Sequence, residues 1–299
     1  MRYNIYIINM RNLLLIDASA LIHRFYHALP EFENQNGERT ESLYGLSNLM
    51  LKFFLEKKTD FWLAGLDRAE PTWRKKEFDE YKIQRPKAES RLIEQIKRMP
   101  EIFSAFGISA LSHPGFEADD IIGTVVEKLK NNPEIKITIL SGDHDMFQLV
   151  ENDKIVVELP QSGINEIKTY NEKGIFEKYG ILPNQIPDFK GLKGDASDNI
   201  PGIAGIGEKA AKDLLQEFKN IEGIYENLPI VKNKIAEKLE NKYEDCLLYR
   251  RLATIRCDAP IEIPNIENLS AAKLDKEKLL KLFQNLGFPS LIKKLEEIN

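Results

Sequence analysis

The ten residues Lys136–Asp145, KITILSGDHD, join a short apolar run to a loop that carries two aspartates. A run of this length that is rich in Ile and Thr is typical of a buried strand. Similar runs occur at Asn12–Ile16, Phe61–Leu66 and Lys154–Leu159. The segments between them have the apolar period of a helix and lie at Ser42–Leu55, Leu92–Phe106 and Ile121–Lys130. Strands that alternate with helices predict an α/β fold with a central, mostly parallel, twisted sheet and helices on both faces.

Beyond residue 170 the strand signal ends and the chain becomes helix-like. The segments with helical character are Glu172–Tyr179, Glu208–Phe218, Val231–Leu239 and Glu244–Ile255. We therefore expect an α/β domain over residues 10–170 and a mainly helical subdomain over residues 171–299, with residues 1–9 as a loose extension. Pro100 weakens the helix prediction for Leu92–Phe106, because an interior proline removes a backbone hydrogen bond.

Composition excludes several classes of protein. No apolar run reaches the roughly eighteen residues of a membrane span, and the start of the chain lacks the cleavage site of a signal peptide. The two cysteines, Cys246 and Cys257, form neither a CxxC pair nor a zinc spacing, which fits a cytoplasmic location. The net charge is -5, but residues 68–98 contain ten Lys and Arg against six acids, so the charge is segregated.

Nine carboxylates follow strands, open a helix or precede a turn in positions that this fold can bring to one edge: Asp17, Asp67, Glu117, Asp119, Asp120, Asp143, Asp145, Asp195 and Asp198. In an open parallel sheet, ligands bind at the carboxyl ends of the strands. Two carboxylates about 4 Å apart repel by roughly 4 kcal/mol at an effective dielectric constant of 20. Mg²⁺ or Mn²⁺ suits such all-oxygen surroundings, and two ions can clamp a phosphodiester during hydrolysis. Each group alone is also consistent with a turn or a helix cap, and only the set favours a metal site.

The segment PGIAGIGEKAA, residues 201–211, places Gly202, Gly205 and Gly207 before a predicted helix. Free backbone N–H groups at such a turn bind phosphate without reading sequence. The pattern is neither the dinucleotide fingerprint nor the GK[ST] nucleotide loop. An ordinary packing turn between two helices is the alternative.

The segment Trp73–Pro86, WRKKEFDEYKIQRP, alternates basic and aromatic residues. Such alternation suits single-stranded nucleic acid, because bases stack on the rings and phosphates meet the cations. Tyr81, Lys82 and Arg85 share one face of a helix at their spacing. A solvated amphipathic helix would show the same pattern.

Five motifs occur in the order, and near the spacing, of one known family: LLLIDASALIHRFYHALP, LDRAEPTWRKKEFDEYKIQRP, PGFEADD, SGDHDMFQL and GLKGDASDNIPGIAGIGEKAA. Over residues 10–265 the chain resembles the 5′–3′ exonuclease domain of bacterial DNA polymerase I, in the wider flap endonuclease family. The resemblance implies a PIN-like, resolvase-like fold with a helical arch near residues 73–98 and a helix–hairpin–helix near residues 195–218.

The resemblance also implies roles for individual residues. The first metal position corresponds to Asp17, Asp67, Glu117 and Asp119. The second corresponds to Asp143, Asp145, Asp195 and Asp198, with Asp120 beside them. The residues expected to take part in catalysis are Lys82, Arg85, Asp67 and Asp143. The residues expected to bind nucleic acid are Arg24, Arg74, Tyr81, Lys82, Arg85, Gly202, Gly205, Gly207 and Lys209, with a potassium ion at the hairpin.

By resemblance the chain is a 5′–3′ exonuclease and flap endonuclease that hydrolyses DNA with two or more Mg²⁺ or Mn²⁺ ions, in primer removal and repair. The expected partners are DNA with 5′ ends, flaps or nicks and a DNA polymerase, with no membrane, and the chain is expected to be a monomer. Three positions depart from the family pattern. Gly65 stands where a bulky apolar residue is usual and is expected to loosen a strand. His144 replaces a usual Lys or Arg and Ala204 a frequent Lys, and both are expected to weaken contact with DNA. A non-catalytic binder of branched DNA and an RNase remain alternatives.

Overall fold

The computed structural model describes residues 10–56, 58–161, 166–271 and 274–297, so the predicted extension at residues 1–9 lies outside the described residues. The strands are β1 (Arg11–Asp17), β2 (Phe61–Gly65), β3 (Ser109–Leu111), β4 (Ile135–Leu140), β5 (Ile155–Pro160) and β6 (Ile167–Tyr170). The helices of the first half are α1 (Ala18–Ala28), α2 (Glu41–Leu55), α3 (Trp73–Glu77), α4 (Ser90–Phe106) and α5 (Ala118–Leu129). Those of the second half are α6 (Glu172–Tyr179), α7 (Ile186–Lys193), α8 (Glu208–Phe218), α9 (Ile221–Glu226), α10 (Asn233–Leu239), α11 (Tyr243–Ala253), α12 (Lys276–Leu286) and α13 (Pro289–Glu296).

The described strands form one sheet in the order β3-β2-β1-β4-β5-β6. All neighbours pair in parallel except β6, which runs antiparallel to β5 at one edge. Because β1 lies between β2 and β4, the ends of the three strands that precede aspartates are adjacent. The mostly parallel sheet is therefore confirmed, and its centre carries the strand ends that matter for the site.

Each face of the sheet is covered by its own apolar core. On one face, α5 and the C-terminal helices pack against alternate strand residues such as Leu13, Leu63 and Ile137. On the other face, α1, α2 and α4 are joined by α12 and α13, which return from the end of the chain to pack near Trp62. Helices on both faces bury all strands of the sheet centre, which explains their continuous apolar runs.

Helix α4 continues through Pro100, contrary to the doubt raised by the sequence. Pro100 is exposed, whereas Met99, Ile102 and Phe103 are buried against the sheet. A carbonyl that loses its partner on the solvent side can bond water, and burial of the other face offsets the lost hydrogen bond.

Gly65 at the end of β2 does not loosen the strand, because it pairs with Asp17 on one side and Leu111 on the other. A Cβ atom at this position would lie 2.9 Å from the carbonyl oxygen of Ala118 and 3.0 Å from Cγ1 of Ile122. The absence of a side chain therefore lets the first turn of α5 approach the strand end closely.

Candidate metal-binding active site

The strand ends, the start of α5 and the loop after α7 enclose one cavity of about 130 Å³. Seven of the nine predicted carboxylates line it: Asp17, Asp67, Glu117, Asp119, Asp143, Asp145 and Asp198. The other lining side chains include two basic residues of the arch base, Lys82 and Arg85, and His23 of α1. The structure thus places strand-end aspartates and arch cations around the same small volume.

Asp17 lies at the centre of this edge, where β1 passes directly into α1. Its Oδ1 accepts from the N–H of Ala20 at 3.1 Å, and its Oδ2 accepts from the hydroxyl of Ser141 at 2.6 Å. The first bond caps α1, and the second ties β1 to the loop after β4. Burial raises the pKa of Asp17 to about 7, so its negative charge is poorly compensated by the protein itself.

Asp67 follows β2 and is fixed by α5. Its Oδ1 accepts from the N–H of Ala118 at 2.7 Å, a bond that depends on the close approach allowed by Gly65. Its own N–H donates to the hydroxyl of Ser19 at 2.9 Å. Burial raises the pKa of Asp67 as it does that of Asp17.

At the start of α5, the carboxylates of Glu117 and Asp119 line the cavity, but Asp120 points the other way. Asp120 is fully buried and pairs with both terminal nitrogens of Arg74, at 3.0 and 2.8 Å. It also accepts from the indole N–H of Trp73 at 2.9 Å. These bonds hold Asp120 outside the cavity, so the structure does not bring it together with the other predicted ligands, and its role as a metal ligand stays a prediction.

Arg74 was expected to contact nucleic acid, but it is only 1% exposed. Besides Asp120, it donates to Asp119 and to the carbonyl oxygens of Leu252 and Thr254. Every guanidinium nitrogen therefore has a protein acceptor. Arg74 fixes the acidic start of α5 against α3 and the end of α11, and its contact with nucleic acid stays a prediction.

The second carboxylate group surrounds the ammonium of Lys190, which forms ion pairs with both Asp145 and Asp195. Burial and the neighbouring Asp143 raise the pKa of Asp145 to about 7 despite this partner. Burial acts in the same direction on Asp195, but Lys190 outweighs it and lowers the pKa to about 2. Asp195 is not among the residues that line the cavity, so Lys190 separates it from the other predicted ligands.

Tyr81, Lys82 and Arg85 lie in the non-helical segment between α3 and α4, so the prediction that they share one face of a helix is wrong. This segment, the base of the expected arch, contacts the same site. The ammonium of Lys82 lies 2.7 Å from Oε2 of Glu117, and Arg85 lies 2.7 Å from Oδ1 of Asp198. Tyr81 is buried and donates to Asp198 at 2.9 Å. Burial acts to raise the pKa of Glu117, but Lys82 and then Arg74 outweigh it and lower that pKa.

Lys82 has a backbone φ of 53°, an uncommon value for a residue with a side chain. Its N–H donates to the carbonyl oxygen of Asp198 at 2.9 Å, which holds this conformation. Such local strain is kept where the surroundings over-determine it. Here it directs the ammonium into the cavity.

The carboxylates do not yet have the arrangement of ligands around a bound ion. Within the described parts of the chain, no group of three His, Cys, Asp or Glu side chains is placed to hold one. Basic side chains lie between them instead. The donor set nevertheless fits a hard divalent cation, because it is all oxygen and because burial raises the pKa of Asp17, Asp67, Asp119 and Asp145. A cation would favour the charged form of these groups.

The hairpin between α7 and α8 lies directly after Asp198. Gly202 and Gly205 have φ values of 66° and 81°, which favour glycine, while Gly207 begins α8 as its N-cap. A Cβ at Gly202 would lie 2.2 Å from the backbone nitrogen of Gly194, so the two loop ends are in close contact. Lys209 is exposed in the first turn of α8. Arg24 lies beside Gly142, one residue before Asp143, and donates to the carbonyl of Gln161 at 2.5 Å.

Three residues of this site were not predicted. Ser141 donates to Asp17 and accepts from the N–H of Asp143 at 2.9 Å. His23 lines the cavity, and burial lowers the pKa of its imidazole, which is therefore neutral at neutral pH. Lys190 lies five residues before Asp195, and nothing in the sequence distinguished it from the other lysines of this region.

Comparison with known proteins identifies the family. A family model described as the 5′–3′ exonuclease N-terminal resolvase-like domain matches residues 12–180. A second, described as the 5′–3′ exonuclease C-terminal SAM fold, matches residues 181–277. The chain belongs to the 5′–3′ exonuclease family. The resemblance inferred from the motifs and the resolvase-like fold class are thereby confirmed.

Relatives in this nuclease family include DNA polymerase I of Caldicellulosiruptor bescii, which is 39% identical over 285 residues, or 95% of this chain and 33% of that protein. DNA polymerase I of Bacillus subtilis is 37% identical over 288 residues, or 96% of this chain and 32% of that protein. The chain therefore spans about a third of the length of these relatives.

Solved structures that share the fold include the T5 5′-exonuclease and the catalytic core of Rad2. The T5 5′-exonuclease with bound zinc has a TM-score of 0.66 at 22% identity and covers 96% of this chain and 99% of its own. The catalytic core of Rad2 in complex with DNA substrate has a TM-score of 0.62 at 16% identity and covers 97% of this chain and 92% of its own. Among the described residues, no helix is both long and apolar enough to cross a membrane.

Proposed function

We propose that this 5′–3′ exonuclease family member is a divalent-metal-dependent nuclease that cleaves DNA at 5′ ends and 5′ flaps. The observation that carries the proposal is the cavity in which seven carboxylates face Lys82 and Arg85. Acids alone would repel a phosphodiester, and cations alone would only bind it. Together with metal ions they provide a site that both holds the phosphate and hydrolyses it.

The metal-binding residues would be Asp17, Asp67, Glu117 and Asp119 for one ion and Asp143, Asp145 and Asp198 for another, with Asp195 available where Lys190 moves. Bound Mg²⁺ or Mn²⁺ supplies an activated water and offsets charge on the phosphate oxygens. Lys82 and Arg85 position the scissile phosphate and stabilise its developing charge. Both would exchange their present carboxylate partners for the phosphate, and the released carboxylates would then be free to bind the metal ions.

Two further assignments belong to this proposal. Residues 10–170 form the nuclease domain, and residues 171–299 form a helical subdomain whose hairpin binds duplex phosphates, with a potassium ion at Gly202–Gly207. DNA is the proposed substrate, and a DNA polymerase is the proposed partner. Support comes from polymerase I relatives and from a solved T5 flap endonuclease complex with DNA and metal ions, which has 20% identity and a TM-score of 0.64.

The test is cleavage of a 5′-labelled flap substrate in Mg²⁺ and in EDTA, by the parent and by Asp143→Asn. Asn at this position keeps the acceptor for the N–H of Asp145, now at 2.9 Å, so the loop is preserved while the charge is lost. Asp153→Asn is the matched control, because Asp153 is exposed in the turn before β5. We expect metal-dependent cutting near the junction by the parent and the control, and binding without cutting by Asp143→Asn. Tight binding without cutting by the parent, in Mn²⁺ as well, would instead show a junction-binding protein.

A further inference from the structure

The hairpin that follows the metal cluster is held by two buried residues and presents an exposed tip. Ile203 and Ile206 are buried, whereas Ala204, Gly205 and Gly207 are exposed. The tip itself therefore offers backbone groups but no charged side chain.

A lysine from another helix supplies a charge at this tip. Lys238 of α10 is exposed, and its ammonium donates to the carbonyl oxygen of Gly205 at 2.8 Å. A Cβ at Gly205 would lie 2.7 Å from Nζ, 2.9 Å from Cε and 3.1 Å from Cδ of Lys238. The whole side chain thus lies along the turn, and glycine leaves the space for it.

The charge of Lys238 is not neutralised by a neighbour. Glu208, the acid nearest to the tip in sequence, pairs with Lys212 at 2.6 Å. In the described part of the chain, no ion pair with a carboxylate involves Lys238. The tip leads into the N-terminus of α8, an end of a helix that carries positive partial charge.

We propose that Lys238 contacts the phosphate backbone of duplex DNA and supplies the charge that Ala204 lacks. The inference rests on the proposed function, since it assigns a new residue to the duplex-binding hairpin. Binding there is independent of sequence, because an ammonium recognises phosphate and not base edges. The contact lies on the duplex held by the hairpin, apart from the metal cluster.

A purely structural role for Lys238, as a donor to the Gly205 carbonyl, can be separated from a phosphate contact. Glutamine can still donate to a nearby carbonyl but carries no charge. Lys238→Gln therefore removes the charge and keeps a donor, and Lys238→Arg keeps both. Lys130→Gln is the matched control, because Lys130 is at the far end of α5 and pairs with Glu127 at 2.7 Å.

The experiment measures the affinity of each variant for a fluorescein-labelled 5′-flap duplex by anisotropy in EDTA, from 50 to 200 mM salt. Loss of one phosphate contact lowers the salt slope by about 0.9. The parent should therefore lose about 3.5-fold more affinity than Lys238→Gln across this fourfold salt range. Lys238→Arg and Lys130→Gln should keep the parent slope.

The inference would be overturned if Lys238→Gln bound the flap duplex with the same affinity and the same salt slope as the parent. Weaker binding with an unchanged slope and a lowered melting temperature would also overturn it, because that pattern indicates the structural role. Cleavage of the same substrate by the parent in Mg²⁺ tests the proposed function separately. A parent that neither binds nor cuts the flap refutes both, whereas a parent that binds and cuts leaves only Lys238 in question.

Discussion

Replacing Gly65 by alanine should move the first turn of α5 and weaken both the fold and the metal site. The new Cβ would lie 2.9 Å from the Ala118 carbonyl oxygen and 3.0 Å from Ile122 Cγ1. Reaching ordinary contact requires a displacement of roughly 0.5 Å, and such overpacking typically costs about 1–3 kcal/mol. For a chain of a few hundred residues, each kcal/mol lowers the melting temperature by roughly 2–4 °C, so the melting temperature should fall by about 2–12 °C. The same shift lengthens the 2.7 Å bond between Ala118 and Asp67, so Mn²⁺ should bind more weakly.

The assay is a thermal melt of the apo protein with a parallel Mn²⁺ titration. Gly174→Ala is the control, since Gly174 is in α6 and its added Cβ would meet nothing nearer than 3.4 Å. Alanine there should raise the free energy of unfolding by about 0.5–1 kcal/mol. A Gly65→Ala protein with the parent's melting temperature and Mn²⁺ affinity would refute the role assigned to this close approach.

Three other perturbations test the electrostatics of the site. The folded-state pKa of about 7 for Asp17 and Asp145 lies above the unfolded value, so the stability of the apo protein should fall as pH rises from about 4 to 7. Because protons then compete less with the metal, the gain in melting temperature from Mn²⁺ should be larger at pH 8 than at pH 6. Equal gains at the two pH values would contradict these pKa shifts. Lys190→Gln removes the cation between Asp145 and Asp195, so the melting temperature of the apo protein should be lower than that of the parent and should rise more on addition of Mn²⁺. An unchanged rise would contradict competition between Lys190 and the metal. Arg74→Met leaves the fully buried Asp120 without its charged partner and should lower the free energy of unfolding by about 3–5 kcal/mol, as measured with denaturant. Arg68 is exposed, so the control Arg68→Met should unfold like the parent. Equal stability of the two variants would refute the importance of the buried pair.

The central strands were predictable because each is buried on both faces and so forms a continuous apolar run. Strands β3 and β6 were not, since Ser109–Leu111 is only three residues long and Ile167–Tyr170 is four residues long with only Tyr170 buried. Helix α6 was predicted with the bounds Glu172–Tyr179 that it has in the structure, because its caps, Asn171 and Gly180, flank the apolar period.

The convergence of carboxylates followed from their position after adjacent strands, but the direction of each side chain did not. Asp119 and Asp120 are neighbours in sequence, and only the first faces the cavity. What turns Asp120 away is Arg74, 46 positions earlier in the chain. A buried arginine in a basic segment has the same sequence signature as one that faces DNA, so its role is settled only by tertiary packing.

The bonds of Arg74 also bear on when the nuclease becomes complete during synthesis. Its acceptors on the end of α11, Leu252 and Thr254, lie 178 and 180 positions farther along the chain. A nascent chain that has emerged only through the hairpin already contains every predicted metal ligand, yet it lacks these anchors for the arch base. Until α11 has been synthesised, Arg74 lacks these two acceptors, and the acidic start of α5 is less firmly held. A half-made chain therefore contains the predicted metal ligands without the full set of contacts that fixes them.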